Sequence, residues 1–399
     1  MYFIQNFRDV KHLNMLTNII VALVAALVAV VWIHPRIVNI ALLKNIVDNP
    51  NARKLQTTPV PVLGGVAIFF GMVLGIALTC RSADSGSLLP IMAAMLIMLY
   101  IGTMDDIVNL TARLRFVLEI GVVVLLIYIS GMSIDDFHGL WGVGVIPMWV
   151  AVPLTIFATV GIINSVNLID GANGLSSGFC ILASIVFGIF FYITGSESML
   201  VLGAVSVGAL IPFLFHNVFG STSRMFLGDG GALVMGVVMA TFVVNVLASN
   251  GASLEAIDPN FGVVPFVLAV MAVPVFDTIR VMISRMVKGV SPSHPDKTHL
   301  HHLFIGHGFS HAGTTVCILT LNALIIVAQY LTWYWGGSIE LQLYVVIGLG
   351  VATTWGLFHG VSFLRDDNPI KRMIRGLGRA THFERKGIFL ILQKMSDRM

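Results

Sequence analysis

Charged side chains are scarce in this chain. Asp, Glu, Lys and Arg make up 11% of its 399 residues, against 57% hydrophobic. No water-soluble domain has that balance, and no nucleic-acid partner is read from it. Cysteine is scarcer still. Cys80, Cys180 and Cys317 are scattered through apolar runs with no CxxC, which argues against a disulfide framework and a zinc–thiolate site. An internal repeat is also missing, which weakens a transporter built from duplicated halves. The first apolar run lacks a small-residue cleavage site and reads as a retained anchor.

Long apolar sequence is abundant instead. Runs of about 20 apolar residues read as transmembrane helices. Eleven are expected, at 15–33, 62–80, 88–104, 115–131, 147–165, 178–194, 199–217, 231–249, 262–282, 312–333 and 341–363. The fold class is therefore all-α: a polytopic integral membrane protein with about eleven transmembrane helices and its active site on the cytoplasmic face. Residues 1–363 form a single membrane domain, and 364–399 form a basic tail. In that tail Arg385, Lys386 and Lys394 mix with Ile388, Phe389, Leu390, Ile391 and Leu392. An interfacial amphipathic helix competes there with a solvated tail.

This span count puts 20 of the 23 Lys and Arg on one face: four within 34–61, Arg113, Arg115, Arg224, four within 280–297 and nine in the tail. The opposite loops carry Asp84, Asp135, Asp136, Glu197, Glu255, Asp258 and Glu340 with Arg81 alone for balance. By the positive-inside rule the basic face, C-terminus included, is cytoplasmic.

Four polar motifs fall on that face: Gly102 to Asp106, Asn167 to Gly171, Phe226 to Gly230, and SHPDKTHLHH from Ser293 to His302. A lipid-facing Asp costs roughly 2.5–3.5 kcal/mol at mid-membrane, so recurrence at span ends implies a use. Adjacent carboxylates such as Asp105 and Asp106 repel by up to ~4 kcal/mol at about 4 Å and an effective dielectric near 20. A divalent cation reverses that sign, and Mg²⁺ takes one or two carboxylates with phosphate oxygens and water; a solvated pair at a helix end is the plain alternative. Asp229 lies between glycines before a span, where backbone and an anion approach closely, although a simple N-cap would look the same. Asn164, Asn167, Asp170 and Asn173 recur every third residue, one stripe on a continuous helix, paired in the bundle or lining a polar cavity. Six of the twelve histidines (His294, His299, His301, His302, His307 and His311) crowd into 18 residues. No HExxH or cysteine completes a zinc site, whereas imidazoles near Lys297 can donate hydrogen bonds to a diphosphate. Arg53, Lys54, Arg113, Arg115, Arg224, Arg280 and Arg285 supply the bases that phosphoryl transfer needs, though positive-inside bias alone places many of them there.

Six segments stand in order between about Asp48 and His311: ARKLQTTPVPVLGG, GTMDDIVNLTARLR, NSVNLIDGANGL, FLGDGGAL, PVFDTIRVMISR and PDKTHLHHLF. Together they resemble the polyprenyl-phosphate N-acetylhexosamine-1-phosphate transferases, integral enzymes of the bacterial inner membrane. That resemblance implies transfer of a sugar 1-phosphate from a UDP-N-acetylhexosamine to undecaprenyl phosphate with Mg²⁺ (or Mn²⁺), releasing UMP. This is the first membrane step of lipopolysaccharide and other envelope glycan synthesis. The HLHH run looks like the N-acetylglucosamine-1-phosphate branch; the phospho-MurNAc-pentapeptide transferase of peptidoglycan synthesis is the nearer alternative, and a secondary transporter the alternative from another class. The resemblance implies that Asp105, Asp106, Asp229, His299 and His301 are catalytic, with Asp106 and Asp229 on the metal. It implies substrate contacts for Arg53, Lys54, Arg113, Asn167, Asp170, Asn173, Arg224, Phe226 and His302, with Asp277, Arg280 and Arg285 leading into the histidine loop. A homodimer accords with it. Gln56, Asn173 and Gly230 depart from the usual pattern, Asn173 standing where a second acid is common.

Overall fold

The computed structural model describes residues 2–48, 59–79, 85–292, 294, 296–382 and 387–398, with the backbone course alone for 2–14 and 85. Arg53, Lys54, Gln56 and Cys80 lie outside the described residues. The helices run α1 (Tyr2–Leu43), α2 (Gly64–Thr79), α3 (Ser85–Val108), α4 (Ala112–Ser130), α5 (Met148–Leu168), α6 (Leu175–Thr194), α7 (Glu197–Phe219) and α8 (Gly228–Leu247). There follow α9 (Val263–Val270), α10 (Ala272–Val287), α11 (Leu300–Gly306), α12 (His311–Tyr334), α13 (Ile339–Val351), α14 (Leu357–Phe363), α15 (Pro369–Ala380) and α16 (Ile388–Ser396). Among the described residues, strand is confined to an antiparallel pair, β1 (Val47–Asp48) and β2 (Val60–Pro61), and one isolated bridge between Asp136 and Val145.

Among the described residues every apolar run read as a span is helical, but the count of eleven is not confirmed. Among the described residues eight helices are long and apolar enough to cross a membrane, α13 and α14 acting as one, and the bent pair α9–α10 makes a ninth when taken as one span. The other two fall short: α2 has 16 residues, and α4 carries Arg113, Arg115 and Glu119.

Helix α8 is the most enclosed span, with 89% of its apolar window buried, and it packs against α2, α3 and α5. Glycine makes that packing close. A Cβ on Gly65 would lie 2.3 Å from the Gly231 nitrogen, and one on Gly102 would lie 2.4 Å from the Gly230 nitrogen. Backbones that touch directly are the usual basis of helix association in lipid, where dispersion replaces the hydrophobic drive. Motif glycines therefore press the start of α8 onto the end of α3.

The ninth span bends by 73° where α9 meets α10. A broken helix strands backbone groups that lipid cannot solvate. Asn322, otherwise out of place in apolar α12, answers both: its Oδ1 accepts from Val273 N at 2.9 Å, and its Nδ2 donates to Val270 O at 3.0 Å. The bend carries the second half of the span, and the histidine loop after it, towards α5.

Candidate active site

The α3–α4 turn builds the acidic centre. Asp105 Oδ1 accepts from Leu110 N at 2.7 Å, and Thr111 caps α4 through Leu114 N. Arg115, one turn into α4, is thereby returned to Asp105 Oδ2 at 3.0 Å. The same guanidinium lies 3.7 Å from Asp229 Oδ2, 3.3 Å from Glu119 Oε1 and 3.2 Å from Asn164 Oδ1. Glu119 is fully buried, and its other oxygen accepts from the Asn164 amide. A charged pair in so apolar a bundle is costly unless both ends are bonded, and here both are.

The two adjacent aspartates divide their work. Asp106 accepts from Asp229 N at 3.2 Å and from Gly230 N at 3.4 Å, placing a carboxylate at the N-terminus of α8, where the helix dipole favours it. Asp105 instead adjoins the Asp229 side chain, which also receives a hydrogen bond from the Asn167 amide. Gly228, at φ +71°, makes this turn; a Cβ there would strike Val62 O at 2.3 Å and Asp106 Oδ2 at 2.7 Å. The segment around β2 is tied in as well, with Phe226 N donating to Pro61 O and Gly64 N donating to Phe226 O.

Helix α5 ends at Leu168, so the expected continuous stripe is broken. Asn164 and Asn167 lie on the helix, whereas Asp170 and Asn173 lie in the turn that Gly174 closes at φ +79°. Asp170 still faces the centre: desolvation, then Asp229 and Asp106, push its carboxyl up to about 7. Asn173 works through its backbone, its N donating to His311 Nδ1 at 3.2 Å and its O accepting from Thr315 Oγ1 at 2.9 Å.

The histidine loop closes over this turn. The His301 ring rests on Gly171, where a Cβ would lie 2.0 Å from Nε2. Burial, followed by the neighbouring His302 and His299, pushes the His301 imidazole down to about 3. His301 is therefore neutral at ordinary pH. His302 is half-buried beside it, with ring centroids 4.2 Å apart. His299 donates from Nδ1 to Asp277 Oδ2 at 2.9 Å, and Asp277 also accepts from Leu300 N at the start of α11. Arg280 binds Asp277 at 2.7 Å and Thr298 O at 2.6 Å, while Arg285 grips Asp296 with two bonds of 2.9 and 3.0 Å. Arg280 and Arg285 are thus internal braces of the loop, not bases turned to a substrate.

Of the remaining expected contacts, Phe226 and Arg224 are half-buried in the loop before α8. Arg113 is exposed and makes no ion pair among the described residues; Arg115 enters the site in its place. Glu119 was not singled out from the sequence, although its i,i+4 spacing from Arg115 was there to be read. Beyond Glu119, an apolar cavity of about 140 Å³ opens between α3, α4, α5 and α8, lined by Ile91, Val122, Thr159, Ile163 and Ala240.

Comparison with known proteins points the same way. Residues 88–247 match the model of glycosyl transferase family 4. That stretch is similar to family 4. It carries the aspartate pair, the 164–173 turn and the glycine-flanked Asp229. A Bacillus subtilis protein named "Probable undecaprenyl-phosphate N-acetylglucosaminyl 1-phosphate transferase" is 28% identical over 337 residues, 82% of this chain and 88% of that protein. Enzymes named undecaprenyl-phosphate alpha-N-acetylglucosaminyl 1-phosphate transferase are 27% identical in Escherichia coli K12 (71% of this chain, 77% of that one) and 26% in Yersinia pestis (72% and 76%). The resemblance read from the six motifs is borne out at the level of this family.

Proposed function

We propose that this protein is a Mg²⁺-dependent polyprenyl-phosphate glycosyl-1-phosphate transferase. It moves N-acetylglucosamine 1-phosphate from UDP-N-acetylglucosamine to undecaprenyl phosphate and releases UMP. The relatives' names support that substrate pair. The observation that carries the chemistry is the gathering of Asp105, Asp106 and Asp170 around Asp229, with the Arg115 guanidinium bonded to Asp105 and 3.7 Å from Asp229. A diphosphate entering so acidic a centre needs a further cation. Among the described residues no three His, Cys, Asp or Glu form a cage by themselves. That donor set fits an ion completed by phosphate oxygens and water, the habit of Mg²⁺. Asp229, with Asp106 or Asp105 beside it, would hold the ion, which when bound neutralises charge on the diphosphate; Mn²⁺ would serve as well.

In this reading an oxygen of the lipid phosphate attacks the β-phosphorus in line, the bond to the bridging oxygen breaks, and its electron pair leaves with UMP. The second ionisation of a phosphate monoester lies near pH 6, about −1.5 to −2 charge at pH 7, so no strong base is required. Both Asp105 oxygens are already bonded, to Leu110 N and Arg115, which favours positioning over a covalent aspartyl intermediate. Arg115 then orients the acceptor phosphate, and neutral His301 with His299 donates hydrogen bonds to the transferring group. The isoprenoid tail enters from the bilayer. The positive-inside bias supports a bacterial plasma-membrane enzyme with site and C-terminus cytoplasmic.

The test is UMP release by purified protein with undecaprenyl phosphate, Mg²⁺ and a panel of UDP-sugars, beside D229N. Release with UDP-N-acetylglucosamine that disappears on chelation and in D229N is expected. Release only with UDP-MurNAc-pentapeptide would move the protein to peptidoglycan synthesis. No lipid-dependent release from any donor, by folded protein, would sink the reading and revive the transporter.

A further inference from the structure

We infer that α15 is a membrane-surface helix that seats on anionic lipid headgroups and thereby holds the histidine loop in place. Only Leu364 to Asn368 separate it from α14, the end of the last span. Five residues reach at most about 17 Å, so α15 is tethered close to the headgroups. Its start is well specified: Asn368 Oδ1 accepts from Ile370 N at 2.9 Å, and Pro369 occupies the first turn, where a missing N–H is harmless.

Helical spacing gives α15 three faces. Ile370, Met373 and Leu377 recur at i, i+3 and i+7 and are 54, 60 and 57% exposed. Lys371, Arg372, Arg375 and Arg379 gather on the other side. Asp366 pairs with Lys371 at 3.2 Å and Arg375 at 2.7 Å, which leaves Arg372 and Arg379 exposed with no ion pair among the described residues. The third face touches the histidine loop. A Cβ on Gly378 would lie 2.8 Å from both His307 O and the Phe309 ring. Thr381 Oγ1 accepts from Ser310 N, and Thr381 O accepts from Ser310 Oγ, each at 2.9 Å. Ser310 itself caps α12 through Gly313 N, and His311 next to it meets the Asn173 turn.

An exposed apolar stripe backed by bases, on a short helix leashed to a span, has one fitting neighbour. The stripe sinks beneath the headgroups while Arg372 and Arg379 reach lipid phosphates. The end of α15 then presses on the junction of α11 and α12, which fixes where His299, His301 and His302 stand. The seating is independent of the transferase reading; its effect on turnover rests on that reading.

The experiment uses the full-length chain, its native cysteines replaced by serine, in nanodiscs of phosphatidylcholine with or without phosphatidylglycerol. M373C carries an environment-sensitive fluorophore. Blue-shifted emission, quenched by nitroxide lipids rather than aqueous iodide and deepened by phosphatidylglycerol, is expected. R372E/R379E should abolish the phosphatidylglycerol increment, with surface association weakened about fivefold for each base removed, and UMP release should track it. Water-like emission in both discs would overturn the seating. A lipid-shielded label with UMP release indifferent to phosphatidylglycerol and to R372E/R379E would overturn the hold on the loop. Shielding without UMP release from any disc would instead count against the transferase reading and leave the seating intact.

Discussion

Arg115→Met removes a guanidinium that reaches Asp105, Glu119, Asn164 and Asp229 at 3.0, 3.3, 3.2 and 3.7 Å. At about 3.7 Å and an effective dielectric near 20, attraction to one carboxylate is worth at most ~4.5 kcal/mol. The side chain is 20% exposed, and solvent screening trims that figure. Loss of a positioned donor facing charge that develops in a transition state usually lowers turnover by ~10²–10³. R115M should therefore reduce UMP release with undecaprenyl phosphate by about that factor. R115K keeps the charge but not the fork, and should lose on the order of tenfold. R113M is the control: Arg113 is exposed, and its loss should change turnover by less than about twofold, as for bases that only serve topology. R115M also leaves Glu119 buried without its cation, at a cost of about 3–5 kcal/mol before screening. Thermal unfolding should show that loss, and E119Q/R115M should recover stability without recovering activity. Folded R115M with more than half the parent turnover, or R113M equally impaired, would refute the placement of Arg115 at the reacting phosphates.

Other expectations test separate features. N322L strands Val273 N and Val270 O at the bend of the ninth span and should cost about 1–3 kcal/mol in detergent unfolding; an unchanged melting temperature would mean the bend is held otherwise. G102A sets a methyl against the Gly230 nitrogen and should force α3 from α8, costing about 1–3 kcal/mol and most UMP release, whereas G121A, in open space on α4, should be silent. His301 sits at about 3 in the fold against 6.5 ordinarily, so between those values the unfolded chain binds more protons. Its contribution to stability is complete above pH about 6.5 and is lost as pH falls towards 3, by at most about 1.4 kcal/mol per unit. H301N should flatten that part of an unfolding-versus-pH curve, leaving the share of His302, which burial also lowers; an unaltered slope would show that His301 is not buried as described.

Much of this architecture was legible in the sequence because lipid leaves few options: a run long and apolar enough to span must be helical. Each of the eleven runs is helical over its described residues, the ninth in two pieces, and the motif aspartates meet at one end of the bundle. The span tally is not confirmed where local features work against length. Residues 64–79 are too short, and 112–130 carry three charges that make sense only beside Asp105 and Asn164. The every-third-residue pattern of 164–173 was read as one stripe because spacing alone cannot locate Gly174, whose positive φ ends the regularity.

The sequence by itself determined the helical membrane class, its charge asymmetry and the residue types gathered for phosphate chemistry, since periodicity, composition and motif order are local properties. Tertiary structure alone decided which of two neighbouring arginines enters the site, which aspartate caps α8 and which faces Asp229. It alone turned Arg280 and Arg285 from candidate substrate bases into braces. Those assignments depend on where groups 10 to 124 residues apart come to lie. Asp105 and Arg115 meet across a turn, and Asp106 and Gly230 meet because glycines let two backbones touch. No spacing rule along one chain encodes that contact; only the packing of α3 against α8 creates it.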